Sequence, residues 1–294
     1  MAYARLAADI GGTFTDIAVE SENEIFTCKV LTTPQAPENG VFDGITRVLN
    51  QTGLSPSDFG SIIHGTTLAT NAIIERKGAR TAMIVTEGFR DSIEIGYENR
   101  FEQYDIFINK PPPLVPRELR FGATERMDAR GNILIPLDEA TLSEIIEILS
   151  LEEVQSVAVG LLHSYIDDRH ERRVAEILST ELPQISITLS SEVSPEIREF
   201  DRWSTATANA YVQPLMSSYL GRLNEKLGTM GFDCPLCMMT SGGGIAAIEI
   251  ARQFPIRLVE SGPAGGAILA AQIAGECGMD EVLSFDMGGT TAKI

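Results

Sequence analysis

Two copies of one short pattern, at opposite ends of the chain, constrain the fold more than any other feature. Asp9-Ile10-Gly11-Gly12-Thr13 lies between apolar stretches near the N-terminus, and Asp286-Met287-Gly288-Gly289-Thr290 stands in the same setting near Ile294. In each copy an apolar strand delivers an aspartate, a Gly-Gly-Thr turn follows, and a second apolar strand leaves. Adjacent glycines tolerate positive φ, which predicts a tight hairpin turn with bare backbone N–H groups. Exposed amides beside a threonine hydroxyl suit phosphate oxygens, so Gly11, Gly12, Thr13, Gly288, Gly289 and Thr290 are candidate phosphate-binding residues. Asp9 and Asp286, each at a strand end, are placed to hold Mg²⁺, directly or through water, against the same phosphates. One Gly-rich hairpin is common punctuation, whereas a matching pair is a pattern that asks for a function.

Between the copies, strand and helix patterns alternate, which predicts an α/β fold. Residues 5–19 and 24–31 read as the opening strands, and 40–51 as a helix with Val41, Ile45, Val48 and Leu49 on one face. Residues 61–64 read as a short buried strand leading through Gly65-Thr66-Thr67 into a helix from about Leu68 to Arg76. Thr66 and Thr67 therefore sit where a strand C-terminus meets a helix N-terminus, a frequent ligand address in α/β folds. Capping of helix amides accounts for those threonines equally well. His64 and Asn71 flank the same corner as candidate substrate contacts, with Arg100 a third, in a loop rich in rings, charges and prolines. Residues of about 87–135 read as an irregular insertion, since so long a loop in a compact domain is usually functional or inserted. Helices at 137–150 and 168–181 alternate with strands at 156–162 and 186–190, and a helix from Ile197 to Gly228 should be interrupted at Pro214. After a strand at 236–240, Ser261-Gly-Pro-Ala-Gly-Gly266 opens a helix so rich in Ala and Gly that another backbone should approach it closely.

Charge and cysteine usage exclude several classes. Acidic residues outnumber basic ones 41 to 23, a net charge of −18, which disfavours nonspecific binding to nucleic acid or an anionic membrane. No apolar run reaches membrane-spanning length, and the N-terminus enters a strand without a signal peptide, so a cytoplasmic location is expected. Four scattered cysteines do not make a disulfide framework, and Cys234-Pro-Leu-Cys237 lacks the second ligand pair of a zinc site.

An Asp-x-Gly-Gly-Thr hairpin repeated in two lobes resembles the phosphate motifs of the actin, hexokinase and heat-shock chaperone ATPase superfamily. Within it the chain is most similar to the hydantoinase A/oxoprolinase family, through His64-Gly-Thr-Thr-Leu-Ala-Thr-Asn71, Ser191-Glu-Val-Ser-Pro-Glu-Ile-Arg198 and Ser261-Gly-Pro-Ala-Gly-Gly266. The resemblance implies a ribonuclease H-like (actin-like ATPase) lobe, a mixed sheet flanked by helices. Residues 1–278 would form the N-terminal lobe and 279–294 the truncated start of a second, so this chain alone is expected to be inactive. It further implies ATP and Mg²⁺ as cofactors and a hydantoinase B-type subunit as partner in an oligomer. The implied activity is phosphorylation of a cyclic amide carbonyl for ring-opening hydrolysis, with Asp9, Asp286, Thr66 and Thr67 as the catalytic set. Asp16 either orients a metal-bound water or pairs with a neighbour. Its counterpart in the second copy is Lys293, so the two hairpins are not equivalent, and the run Thr290-Thr291-Ala292-Lys293, where carboxylase and oxoprolinase relatives more often carry Thr-Ser and an acidic residue, tilts the resemblance toward the hydantoinase branch. The alternatives are the ATP-using subunit of an acetone-type carboxylase and a non-catalytic, chaperone-like ATPase switch.

Overall fold

A computed structural model describes residues 3–22, 24–33, 36–97, 102–287 and 292–294. Arg100, Gly288, Gly289 and Thr290 lie outside the described residues. The chain divides into two compact units, one of residues 1–75 with 215–294 and one of residues 76–214.

The first unit opens with β1 (Ala4–Ile10), β2 (Phe14–Ser21), β3 (Glu24–Leu31), α1 (Pro37–Thr52), β4 (Phe59–Thr66) and α2 (Leu68–Ile74). The second holds β5 (Thr81–Thr86), α3 (Ser92–Ile95), β6 (Arg120–Ala123), β7 (Arg126–Met127), β8 (Ile133–Ile135), α4 (Glu139–Leu151), β9 (Ser156–Gly160), α5 (Arg169–Glu181), β10 (Ser186–Leu189) and α6 (Ser190–Val193). Helix α7 (Glu199–Thr229) passes from the second unit into the first. The first unit then closes with β11 (Leu236–Met239), β12 (Ile245–Ala247), α8 (Ile248–Gln253), α9 (Ser261–Glu276), β13 (Asp286–Met287) and β14 (Ala292–Lys293).

In the first unit a six-stranded sheet runs in the order β12-β11-β4-β1-β2-β3. β1 is antiparallel to β2 and parallel to β4, and β4 is parallel to β11, which gives the mixed ribonuclease H-like sheet. Along β1, Ala4, Leu6, Ala8 and Ile10 are buried while Arg5, Ala7 and Asp9 take the other face, the period of two that pleating imposes. α1 covers the buried face. Pro37 starts it, Gly53 ends it at φ 73° with its N–H on the Leu49 carbonyl, and Val41, Phe42, Ile45 and Val48 turn inward. Gly44 lets it settle on β2, because a Cβ there would stand 2.5 Å from Ile17 Cγ1.

The second unit carries a four-stranded sheet, β10-β9-β5-β6, in which every pairing is parallel. β5 and β9 are buried along their whole length, as expected of central parallel strands. At their C-terminal ends the fully buried Glu171 accepts from Leu161 N (2.9 Å), Ser190 Oγ (2.7 Å), Ser191 N (3.0 Å) and Ser191 Oγ (2.6 Å). Arg202, also fully buried, donates to the carbonyls of Leu161 (3.1 Å) and Glu196 (2.7 Å).

α7 is not interrupted at Pro214. Proline removes one helical N–H, but Tyr211, Val212, Met216, Tyr219 and Leu220 are buried on either side of it, and that burial outweighs the lost bond. Among the described residues no helix is long and apolar enough to cross a membrane.

Candidate phosphate-binding cleft

The alternation of β1 sends Asp9 to the face opposite the α1-packed core, and its neighbours there are chosen for room. Asp9 lies beside Gly65 in the parallel register with β4, and a Cβ on Gly65 would fall 2.6 Å from Asp9 Oδ1. The turn that follows is closed by Gly11 N donating to Phe14 O at 2.9 Å. Neither Gly11 nor Gly12 takes a positive φ, which corrects the expectation that the turn needs left-handed glycines. The requirement is clearance instead. A Cβ on Gly12 would meet nothing within 4 Å, so its backbone faces open space, whereas one on Gly11 would press on Phe14 O at 3.2 Å.

Side chains from neighbouring elements brace this hairpin. Thr32 donates its N–H to Thr13 O (3.0 Å) and its hydroxyl to Gly11 O (3.0 Å). Thr67 reaches the Ile10 carbonyl through both its N–H (3.2 Å) and its hydroxyl (3.3 Å). Asn71 Nδ2 in turn donates to Thr67 Oγ1 at 3.2 Å.

Asp9, Gly11, Gly12 and Thr13 share a cleft of about 380 Å³ with Thr67, Asn71 and Asp286. The cleft thus brings together the aspartates of both sequence copies. Asp9 is exposed on this cleft, and its carboxyl is held above the ordinary carboxylate range, first by the partial desolvation its surroundings impose, then by the negative charges of Asp16 and Asp286. Lys29 works in the opposite direction, yet its ammonium is engaged by Asp16 Oδ1 at 2.6 Å. Asp16 therefore pairs with a neighbour. Converging carboxylates with little compensating charge are what a hard divalent cation relieves. Among the described residues no three His, Cys, Asp or Glu side chains converge on one metal point, so phosphate or water oxygens would have to complete its shell.

His64 does not reach the cleft. It is fully buried, with Nδ1 against Ala8 O at 2.8 Å and Nε2 against Tyr219 Oη at 2.7 Å, which removes it from the substrate contacts. Thr66 is likewise buried, and its hydroxyl accepts from Leu68 N at 3.2 Å, the local capping that the threonine pair also allowed. Among the described residues the close backbone approach expected along α9 is absent too. Gly262 and Gly266 would place a Cβ in open space, and one on Gly265 would meet only Met239 Cε at 3.7 Å.

Three polar cleft residues were not among the candidates from sequence: Lys29, Thr70 and Glu260. Glu260 caps α9 in the left-handed conformation at φ 64°, with its N–H on Thr70 Oγ1 at 3.2 Å. A glutamate at that φ is uncommon and strained, and the signal for it in sequence was its place directly before the Ser-Gly-Pro helix start.

Residues 5–182 match the hydantoinase/oxoprolinase N-terminal region, and residues 202–294 the hydantoinase/oxoprolinase region. The chain belongs to the hydantoinase/oxoprolinase family. It is 39% identical over 294 residues to an uncharacterized protein of Methanocaldococcus jannaschii, covering 98% of this chain and 43% of that one. To the caprolactamase alpha subunit of Pseudomonas jessenii it is 33% identical over 297 residues, covering 99% and 43%. The crystal structure of the ATP-dependent caprolactamase from that organism aligns with a TM-score of 0.87 at 32% identity, over 98% of this chain and 43% of that chain. A nucleotide-free acetone carboxylase structure gives the same TM-score, 0.87, at 27% identity, over 99% and 43%. The chain spans less than half the length of these family members.

Proposed function

We propose that this chain is the nucleotide-phosphate lobe of an ATP-dependent cyclic-amide hydrolase of the hydantoinase/oxoprolinase type. The observation that carries the reading is the meeting of Asp9, Asp286 and the bare Gly11–Gly12 backbone on one cleft. Phosphoryl transfer asks for positioned donors and neutralised charge more than for a covalent nucleophile, and the cleft offers that composition. When bound, Mg²⁺-ATP would supply the phosphoryl group that converts an amide oxygen into a leaving group. Asp9 and Asp286 would hold the metal, and Thr13 with the amides of Gly11 and Gly12 would hold phosphate oxygens. Gly288, Gly289 and Thr290 would do the same from the second copy, as residues 279–294 begin a second lobe.

Thr67 and Asn71, joined to each other and tied to the Ile10 carbonyl, line the cleft and are the substrate-side candidates that remain. Glu260 lies on the same cleft. A lactam or related cyclic amide is the proposed substrate class. Mg²⁺, a B-type partner subunit, an oligomeric assembly and a cytoplasmic setting belong to the same proposal.

The test is ATP-dependent phosphate release by the assembled enzyme, partner subunit included, offered caprolactam, hydantoin, 5-oxoproline or acetone in turn. Release stimulated by a cyclic amide and not by the ketone is the expected result. Stimulation by acetone alone would move the chain to the carboxylase reading, and release indifferent to all four would favour an ATPase switch.

A further inference from the structure

The buried pair His64–Tyr219 lies on the face of the sheet away from the cleft, yet it grips the strand that carries Asp9. In the parallel register Ala8 is opposite His64 and Asp9 is opposite Gly65. One residue of β4 thus holds a carbonyl on the core side while the next makes room for a carboxylate on the cleft side. The Ala8 carbonyl can only accept, so His64 Nδ1 carries the proton in the 2.8 Å bond between them. Desolvation keeps the imidazole neutral, with its pKa down at about 4, so Nε2 is a bare acceptor and Tyr219 must donate across 2.7 Å. Burial pushes the Tyr219 hydroxyl far above its ordinary range, which keeps that donor proton in place.

Tyr219 is itself anchored. Three residues along α7, and therefore on the same helix face, Arg222 Nε donates to Glu38 Oε1 at 2.6 Å, tying α7 to the first turn of α1. The ring of His64 is thus backed by a fixed helix. Ala8 joins Ile10, held by Thr67, and Gly11, held by Thr32, as the third carbonyl at this strand end gripped by a side chain. Of the three grips, the His64 grip alone is fully sealed from water.

We propose that His64 and Tyr219 are positioning residues for the phosphate hairpin: Tyr219 holds the imidazole, in its Nδ1–H form, against the Ala8 carbonyl, and that grip sets where β1 presents Asp9 and the Gly11 turn. The word phosphate rests on the function proposed above; the grip does not. A purely structural pair would stabilise the unit as a whole and would not single out the hairpin.

Two substitutions separate the roles. His64→Asn keeps an N–H near the Nδ1 position and loses the contact with Tyr219 through Nε2. His64→Gln reaches toward Tyr219 and loses the donor to Ala8. The readout, with no ligand present, is hydrogen exchange of the Gly11 amide, whose bond to Phe14 O closes the turn. In the 294-residue chain, His64→Gln and Tyr219→Phe should speed Gly11 exchange by about tenfold or more, whereas His64→Asn, whose short side chain brings its own N–H to Ala8 O without a partner behind it, stays within about twofold of wild type, even where melting temperatures fall alike. Acceleration in step with the melting temperature in all three variants overturns the proposal. Calorimetry of the wild type with Mg²⁺-ATP is read separately. Absence of binding alongside the exchange contrast would remove the nucleotide reading and leave the positioning role standing.

Discussion

Acidification should weaken this fold through His64 in a way that can be isolated. The side chain is sealed in the first unit, and its pKa falls from the ordinary 6.5 to about 4, because desolvation of the imidazolium outweighs the bond to Ala8 O. The unfolded chain therefore binds a proton at His64 between those values while the folded chain does not. Stability is present above pH 6.5 and is lost as pH falls toward 4, and below that no further loss comes from this group. At about 1.4 kcal/mol per unit, the full difference is ~3 kcal/mol, of which ~2 kcal/mol has gone by about pH 5.

The measurement is urea unfolding of wild type and His64→Asn at several pH values from about 7.5 to 5, followed by far-UV circular dichroism. The variant starts less stable but has no titrating group at this position. His163 and His170 are present in both proteins and cancel in the comparison. Wild type should lose ~2 kcal/mol more than the variant across this range, so the two lines converge. Parallel lines would mean that His64 titrates normally, is reached by water, and cannot be held as described. Trp203 fluorescence provides a second channel, since that residue belongs to residues 76–214.

Further expectations concern the cleft and the second unit. Asp9→Asn should raise the melting temperature at neutral pH while abolishing Mg²⁺-dependent nucleotide binding. The folded state holds the Asp9 pKa up, so its ionisation removes stability as pH rises from about 4 through that raised value, and the gain from asparagine should vanish below about pH 4. A destabilised Asp9→Asn at neutral pH would show that this carboxylate is satisfied without a cation. Gly12→Ala should leave the melting temperature unchanged, since its Cβ enters open space, yet cut Mg²⁺-ATP affinity about tenfold by blocking the turn backbone. Unchanged affinity would remove that turn as the phosphate cradle. Gly65→Ala should lower affinity by displacing Asp9 Oδ1, which a Cβ would approach to 2.6 Å; suppression of the effect in an Asp9→Asn background is the check. Glu171→Gln turns an amide N–H₂ toward the donors of Ser190 and Ser191 and should cost ~3 kcal/mol or more in urea unfolding read by Trp203 fluorescence.

The residues that the sequence placed well are those whose role is decided within a few positions. The strand at β1 follows from its apolar run, and α1 from the stripe of Val41, Ile45 and Val48, because pleat and helical pitch are local geometry. Gly11 and Gly12 show the limit of local reading. Their composition announced a turn, but the backbone closes it without positive φ, and Gly12 faces open space. α9 shows the same limit, as its glycines suggested a touching backbone where the helix meets open space.

His64 was misread for a different reason. Along β4 the buried residues are Phe59, Ile62, His64 and Thr66, so His64 belongs to the core register of Ile62. Ile63 and Gly65, on the other register, are as apolar as their neighbours, and alternation alone could not say which side faces the core. Its partner Tyr219 lies on a helix whose burial depends on the whole unit having formed. A sealed histidine must find two partners or give up its charge, and here it does both. The motif containing His64 therefore serves the cleft from behind. Gly65 clears space for Asp9, Thr67 and Asn71 line the opening, and His64 holds the strand from which Asp9 projects.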